Sequence, residues 1–272
     1  MPRTILTWGA AHRVTPRQSV AEELKNCGKN FGNLLIGNSI REILSINNFV
    51  SHRDVNSPEQ ADAECDQVVI PAANFLWKGF DLGHIADFLE KTSLPVAMIG
   101  VGAQASDRNL IGAIHPGTLR LMKLVAERSK RIGVRGYYTA EVLSSYGIHN
   151  VEVIGCPSLY SKKRRNLSIE TSRLTDVRGI SVNFSRRVAA HSFSPQTTQS
   201  VENKLLEFAI SKQAIFVAQD EEDEIATSEI HTSSPAMLQY FNQINPNAVH
   251  RFFANNTRYF LNVADWTKYI ID

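Results

Sequence analysis

A length of 272 residues sits at the limit of a single hydrophobic core, since cores stop growing at roughly 250–300 residues, so two α/β domains with a cleft between them are expected. Hydrophobic residues make up 43% and charged residues 21%, enough apolar side chain to close a core, which excludes a disordered chain. With 29 Lys and Arg against 27 Asp and Glu the net charge is only +2, which excludes the strongly basic balance of a nucleic-acid binder.

Short β-rich runs alternate along the chain with amphipathic runs, the pattern of a mostly parallel sheet covered on both faces. Residues 4–8 read as the first strand, and Ile36, Ile40, Ile43 and Leu44 as one face of the helix after it. The near-continuous apolar runs 67–71 and 94–101 read as strands buried on both faces. Helical stripes follow at Ile85, Phe88 and Leu89, and at Leu119, Met122, Val125 and Ala126. Residues 131–135 are a short strand. Thr139 is placed to cap a helix that turns Val142, Leu143 and Tyr146 inward and stops at Gly147, with Tyr138 and Leu143 as a hydrophobic staple. Residues 151–155 close this unit, giving a first domain over 1–160.

The SKKRR run at 161–165 and the polar stretch after it read as a linker over 161–177. The second domain, 178–272, offers three candidate strands at 179–184, 214–218 and 249–253. Between them lie helical stripes at Val201, Leu205, Leu206 and Ala209 and at Met237, Leu238, Phe241 and Ile244. Ser234 with Pro235 is a start signal for the latter, and Val263, Trp266, Tyr269 and Ile270 form a last apolar segment. No stretch approaches the ~18 apolar residues that span a bilayer, and residues 1–10 lack the regions of a signal peptide, so a cytoplasmic protein is expected. Cys27, Cys65 and Cys156 are too widely spaced for a disulfide framework or a CxxC metal site and read as ordinary thiols.

The strand 94–101 runs directly into Gly100, Gly102 and Gln104. In open α/β sheets ligands sit beyond the carboxyl ends of strands, where glycine lets backbone N–H groups approach; a tight turn would look the same, and the full GxGxxG spacing is missing. Gly32 and Asn33 stand at a helix start, which favours an anion, or Asn33 is simply the N-cap. Asn74 interrupts the apolar run after the strand 67–71, as a sugar-binding amide or a turn residue. Arg135 ends its strand, where a guanidinium suits a carboxylate or phosphate, with a surface ion pair as the alternative. Arg186, Arg187 and His191 follow another strand and form either a phosphate clamp or a solvated loop. The carboxylates of 220–224 also follow a strand and could bind a metal or hydrogen-bond a sugar, but they lack regular metal-ligand spacing, and no metal site is assigned.

Taken in order, Gly32-Asn33, Asp66-Gln-Val-Val-Ile-Pro-Ala-Ala-Asn74, Ile99-Gly-Val-Gly-Ala-Gln104, Val134-Arg-Gly-Tyr-Tyr-Thr139 and Val153-Ile-Gly-Cys-Pro-Ser158 resemble the polysaccharide pyruvyl transferase family. Ser181-Val-Asn-Phe-Ser-Arg186 resembles the start of that family's second domain. The resemblance implies two Rossmann-like domains stacked as in the GT-B glycosyltransferases. It also implies transfer of the enolpyruvyl unit of phosphoenolpyruvate onto two sugar hydroxyls in surface-polysaccharide synthesis, with no cofactor. Its implied partners are phosphoenolpyruvate and a carbohydrate acceptor. By resemblance Arg135 is the donor-anion contact, with Gly32, Asn33, Asn74, Gly102, Gln104 and Arg186 as further substrate-binding candidates.

Two departures stand out. Gly136 occupies the place after the arginine where members commonly carry an acidic residue, and the family's later Arg-x-His-Gly motif occurs nowhere in the chain. The resemblance therefore implies an incomplete second domain, a truncated or inactive transferase, and an edge strand near 179–184 open to self-association. A GT-B-like glycosyltransferase with a nucleotide-sugar donor and a non-enzymatic sugar-binding remnant are the alternative readings.

Overall fold

The apolar runs around residues 67 and 96 become the centre of a six-stranded parallel sheet. A computed structural model of the chain describes residues 4–9, 28, 30–105, 113–163, 171, 173, 175, 179–183, 192, 194–219, 235–258, 260 and 263–271. Two units result: Met1–Arg13 with Asn33–Leu167, and Val14–Gly32 with Ser168–Asp272.

In the first unit the strands are β1 (Ile5–Thr7), β2 (Phe49–Ser51), β3 (Gln67–Pro71), β4 (Val96–Val101), β5 (Ile132–Val134) and β6 (Val151–Val153), in the order β2-β1-β3-β4-β5-β6. The helices are α1 (Phe31–Ile43, whose first two residues Phe31 and Gly32 belong to the second unit), α2 (Pro58–Glu64), α3 (Gly83–Leu89), α4 (Pro116–Arg128) and α5 (Tyr137–Ser145), followed by a 3-10 helix over Pro157–Lys163. Alternate residues of a strand point to opposite faces, and the packing divides accordingly. Leu6, Val68, Ile70, Val96 and Met98 join the larger core with α2 to α5, whereas Ile5, Val69, Ala97 and Ile99 pack with Ile36 and Ile40 of α1.

Val101 breaks this alternation. Its parity would put it with Ile99, yet it lies in the larger core, because the β4–β5 register shifts between Ile99 and Val101. One inserted residue, Gly100, sits at φ +89 and exchanges the faces beyond it.

In the second unit β7 (Ser181–Val182), β8 (Ile215–Val217) and β9 (Thr257–Arg258) form a parallel sheet in the order β7-β8-β9. Around it lie α6 (Pro195–Ser211), α7 (Pro235–Tyr240), α8 (Pro246–Asn256) and α9 (Val263–Ile271). Val182, Leu206, Ala209, Phe216, Phe241, Val249, Phe252 and Phe253 form its core.

Several sequence expectations need correction. Residues 249–253 are helix rather than strand: the Asn245 side chain accepts from Asn247 N, Pro246 fills the first turn, and Val249, Phe252 and Phe253 are buried at helical spacing. The third strand is Thr257–Arg258 instead. Thr139 is not a cap; α5 begins at Tyr137 with Gly136 as N-cap, so Tyr138 and Leu143 miss the staple positions, while Gly147 does end the helix at φ +80. Val201 and Leu205 are 57% and 37% exposed, and α6 buries Asn203, Leu206 and Ala209. Ile43 and Leu44 are also exposed, so of that expected stripe only Ile36 and Ile40 are buried, together with Phe31, Leu34 and Leu35 of α1. The basic run at 161 begins inside the 3-10 helix, with Ser161 buried. β2, α2 and that 3-10 helix were not anticipated.

Candidate functional site

With β1 lying between β2 and β3, the connection from β2 to β3 must cross over β1. The sheet therefore has a switch point between β1 and β3, beyond whose carboxyl ends ligands bind in open α/β sheets. On the β1 side stands Gly9 at φ +124, where a Cβ would lie 3.4 Å from the Pro71 carbonyl oxygen. On the β3 side the chain continues into Ala72, Ala73 and Asn74.

Arg135 follows β5 and reaches back across this rim. Its Nε donates to the Gly100 carbonyl at 2.8 Å, one terminal nitrogen donates to Asn74 Oδ1 at 3.1 Å, and the other donates to the Ala72 carbonyl at 3.2 Å. One side chain from β5 thus ties together the ends of β3 and β4. Asn74 completes the cluster by donating from Nδ2 to Gln104 Oε1 at 2.7 Å. The two chain segments are locked by Gly102 N donating to Ala73 O, Leu76 N to Gly102 O and Gln104 N to Leu76 O. Arg135, Asn74, Gly102 and Gln104, distant in sequence, converge at neighbouring strand ends.

Gly100 within β4 and Gly102 just beyond it both serve this cluster. At Gly100 the left-handed backbone would strain any L residue, and a Cβ would meet Pro157 Cγ at 2.9 Å and the Ala72 oxygen at 3.1 Å. At Gly102 a Cβ would lie 2.5 Å from Asn74 Oδ1 and 3.4 Å from Arg135 Cδ, so a side chain there would evict the amide that the guanidinium holds. Their use is to make room for protein side chains, which the sequence did not distinguish from room for a ligand.

Burial pulls the Arg135 guanidinium below its ordinary value, with Cys156 partly offsetting this, and among the described residues no carboxylate pairs with it. The group stays charged, because arginine is not deprotonated in proteins. Of its five N–H donors three are spent on the bonds above, which leaves one on each terminal nitrogen without a partner among the described residues. The cluster is therefore a half-buried cation held by neutral acceptors. Beside it Cys156 Sγ lies 3.0 Å from Ser158 Oγ. α5 opens directly after Arg135-Gly136, and Gly136 brings no side chain to cap its first-turn N–H groups.

The start of α1 has a different character. Asn30, just before the helix, accepts through Oδ1 from Gly32 N at 2.7 Å and from Gln219 Nε2 at 3.0 Å, and Phe31 N donates to the Gln219 carbonyl at 3.1 Å. Asn30 rather than Asn33 occupies the capping position, and two of the first-turn N–H groups that an anion would use are already taken. Arg186, Arg187, His191 and the acidic run 220–224 lie outside the described residues. Among the described residues no group of three His, Cys, Asp or Glu could hold a metal ion, and no helix is long and apolar enough to cross a membrane.

Sequence reasoning missed the acceptors: the carbonyls of Ala72 and Gly100 and the Pro157 wall carry no side-chain signal. No curated protein and no solved structure matches the chain. The family model for polysaccharide pyruvyl transferase, by contrast, matches residues 30–270, a span that takes in the whole Arg135 cluster and both sheets except β1. The chain belongs to the polysaccharide pyruvyl transferase family.

Proposed function

We propose that the rim around Arg135 binds phosphoenolpyruvate and that the protein transfers its pyruvyl unit to a pair of hydroxyls on a carbohydrate acceptor. The observation that carries this reading is the half-buried guanidinium with two unspent N–H donors and no carboxylate among the described residues to neutralise it. A buried cation without a counter-charge is costly, and an anionic ligand removes that cost. The N-terminus of α5, whose N-cap Gly136 makes no side-chain bond, adds a helix dipole of the same sense. Asn74 and Gln104 flank the cation with amides suited to carboxylate or hydroxyl.

The reaction balances as follows. The methylene carbon of phosphoenolpyruvate takes a proton, two acceptor hydroxyl oxygens bond to the central carbon, and the carbon–oxygen bond to phosphate breaks. One hydroxyl proton is conserved on the new methyl group and the other leaves with phosphate. Within this scheme Arg135 holds the carboxylate or phosphate and steadies the charge that develops on departure. The chain has no Arg-x-His-Gly motif, so the proton donor is not assigned. The same reading takes the two units as GT-B-like domains and the protein as cytoplasmic, where phosphoenolpyruvate is made.

Binding tests this more directly than turnover. Phosphoenolpyruvate should raise the melting temperature of the protein by mass action, and Arg135→Ala should weaken its affinity by about 1–3 kcal/mol. Stabilisation by a nucleotide sugar, with none by phosphoenolpyruvate, would favour a glycosyltransferase instead.

A further inference from the structure

Arginine sets the polarity of the groups that touch it. Guanidinium nitrogens only donate, so the Asn74 atom that meets Arg135 at 3.1 Å has to be the carbonyl oxygen, and the Asn74 nitrogen has to face away. That nitrogen donates in turn to Gln104 at 2.7 Å, which makes the Gln104 atom it meets Oε1. The direction of both bonds thus follows from the chemistry of arginine. Turning Asn74 over would set its N–H groups against the guanidinium, and turning Gln104 over would set two amide N–H groups against each other.

The members of this relay are held in place independently of it. Arg135 is fixed by its bonds to the carbonyls of Gly100 and Ala72. The Gln104 backbone N–H donates to Leu76 O, and that of Ala103 donates to the Thr139 hydroxyl at 3.0 Å. The relay therefore runs one way, from Arg135 through Asn74 to Gln104. Its last member presents Nε2, which makes no bond to a described residue. Nε2 shares its carbon with Oε1, so it stands at the rim with the Asn74 amide, the single group that separates Gln104 from the guanidinium.

We propose that Asn74 is a positioning residue that commits the Gln104 amide to donating, and that Gln104 Nε2 and Arg135 together bind the phosphoenolpyruvate anion. The side-chain oxygens of the relay are engaged internally, Asn74 Oδ1 by Arg135 and Gln104 Oε1 by Asn74, and what faces outward is N–H. Anionic oxygens accept without offering a proton. A sugar hydroxyl also has to place its own proton on an acceptor, which the relay does not provide, so the cluster selects the donor substrate over the carbohydrate. The inference rests on the reading that Arg135 holds phosphoenolpyruvate.

The test titrates phosphoenolpyruvate calorimetrically into the full folded chain and its variants. Asn74→Ala frees one more N–H of Arg135, so if Asn74 does no more than occupy that donor, affinity should hold or rise. With Asn74 as the positioning residue it should fall by about fivefold. Gln104→Glu still accepts from Asn74, which preserves the strap between the segments, but it has no N–H to give. Its affinity should fall by about tenfold or more, and the loss should persist at about 1 M salt, where a Debye length of ~3 Å screens repulsion through space. The side-chain N–H signal of Gln104, identified by its absence from Gln104→Glu, should move when phosphoenolpyruvate is added. Unchanged or tighter binding in Asn74→Ala, a loss in Gln104→Glu that vanishes in high salt, or a Gln104 signal that stays in place overturns the relay, while Arg135→Ala still weakens binding. An unmodified chain that does not bind phosphoenolpyruvate overturns the donor reading and the relay with it.

Discussion

The carboxyl rims of the two sheets are both parallel in backbone and differ, among the described residues, in the groups that close them. At the six-stranded sheet a cation reaches over the strand ends and binds two carbonyls and an amide, with donors to spare. At the three-stranded sheet the groups that meet the strand ends, among the described residues, are neutral. Asn183 Nδ2 donates to Val217 O at 2.7 Å, Trp266 Nε1 donates to Ala218 O at 3.0 Å, and Ala218 N donates to Arg258 O at 3.0 Å. Trp266 also lies 6.1 Å from Phe31. A parallel sheet thus supplies a place for a ligand, but only leftover charge gives the place a preference.

The largest expected effect tests whether Arg135 is structural as well as ligand-binding. Arg135→Ala leaves the carbonyls of Ala72 and Gly100 and the Asn74 oxygen without a donor, so urea unfolding of the first unit should lose about 3 kcal/mol. Amide exchange in β3 to β5 locates the change; no loss there would reduce the arginine to a surface group. Gly100→Ala should cost about 2 kcal/mol, since it combines a left-handed backbone with a Cβ against Pro157. Adding Pro157→Ala should recover only the steric part. If the double variant regains full stability, backbone strain at the bulge is not what holds Gly100.

On the second rim the corresponding substitution, Asn183→Ala, removes one neutral hydrogen bond and should cost about 1 kcal/mol without altering phosphoenolpyruvate affinity. An effect on donor affinity equal to that of Arg135→Ala would erase the contrast between the rims.

Acidification should act on the two units with opposite sign. His52, in the first unit, is held below its ordinary value by burial and then by Arg53, so its contribution is present above the unfolded value near 6.5 and is lost as pH falls through the folded one. Glu202, in the second unit, is pushed up by burial, against the opposing hydrogen bond from the Tyr240 hydroxyl. Its contribution is present below the unfolded value near 4.5 and is lost as pH rises through the folded one. Glu202→Gln should flatten the pH dependence of melting in the second unit and leave that of the first unchanged. The same slope in wild type and variant would mean that Glu202 carries no linkage.

Much of this molecule was readable from local pattern. The apolar runs fixed β3 and β4 to within two residues, helical spacing found α3, α4 and α6, and the ordered motifs around Asn74, Gly102 and Arg135 pointed to the family the chain belongs to. Even the helix over 246–256 had its signal, Asn245 before Pro246, masked by an apolar run that suits a strand equally well.

Placing Arg135 at a strand end needed only the sequence; choosing its acceptors did not. Its partners Gly100, Asn74 and Ala72 are 35, 61 and 63 residues away, and they meet it because a one-residue bulge turns the end of β4 and a crossover sets β3 beside it. Burial is decided in the same way. Val201 and Leu205 repeat at helical spacing yet remain in water, and Tyr137 is exposed beside a helix whose other face is packed. Period determines which residues share a face. Which face meets another element depends on distant segments, and so only the assembled fold decides it.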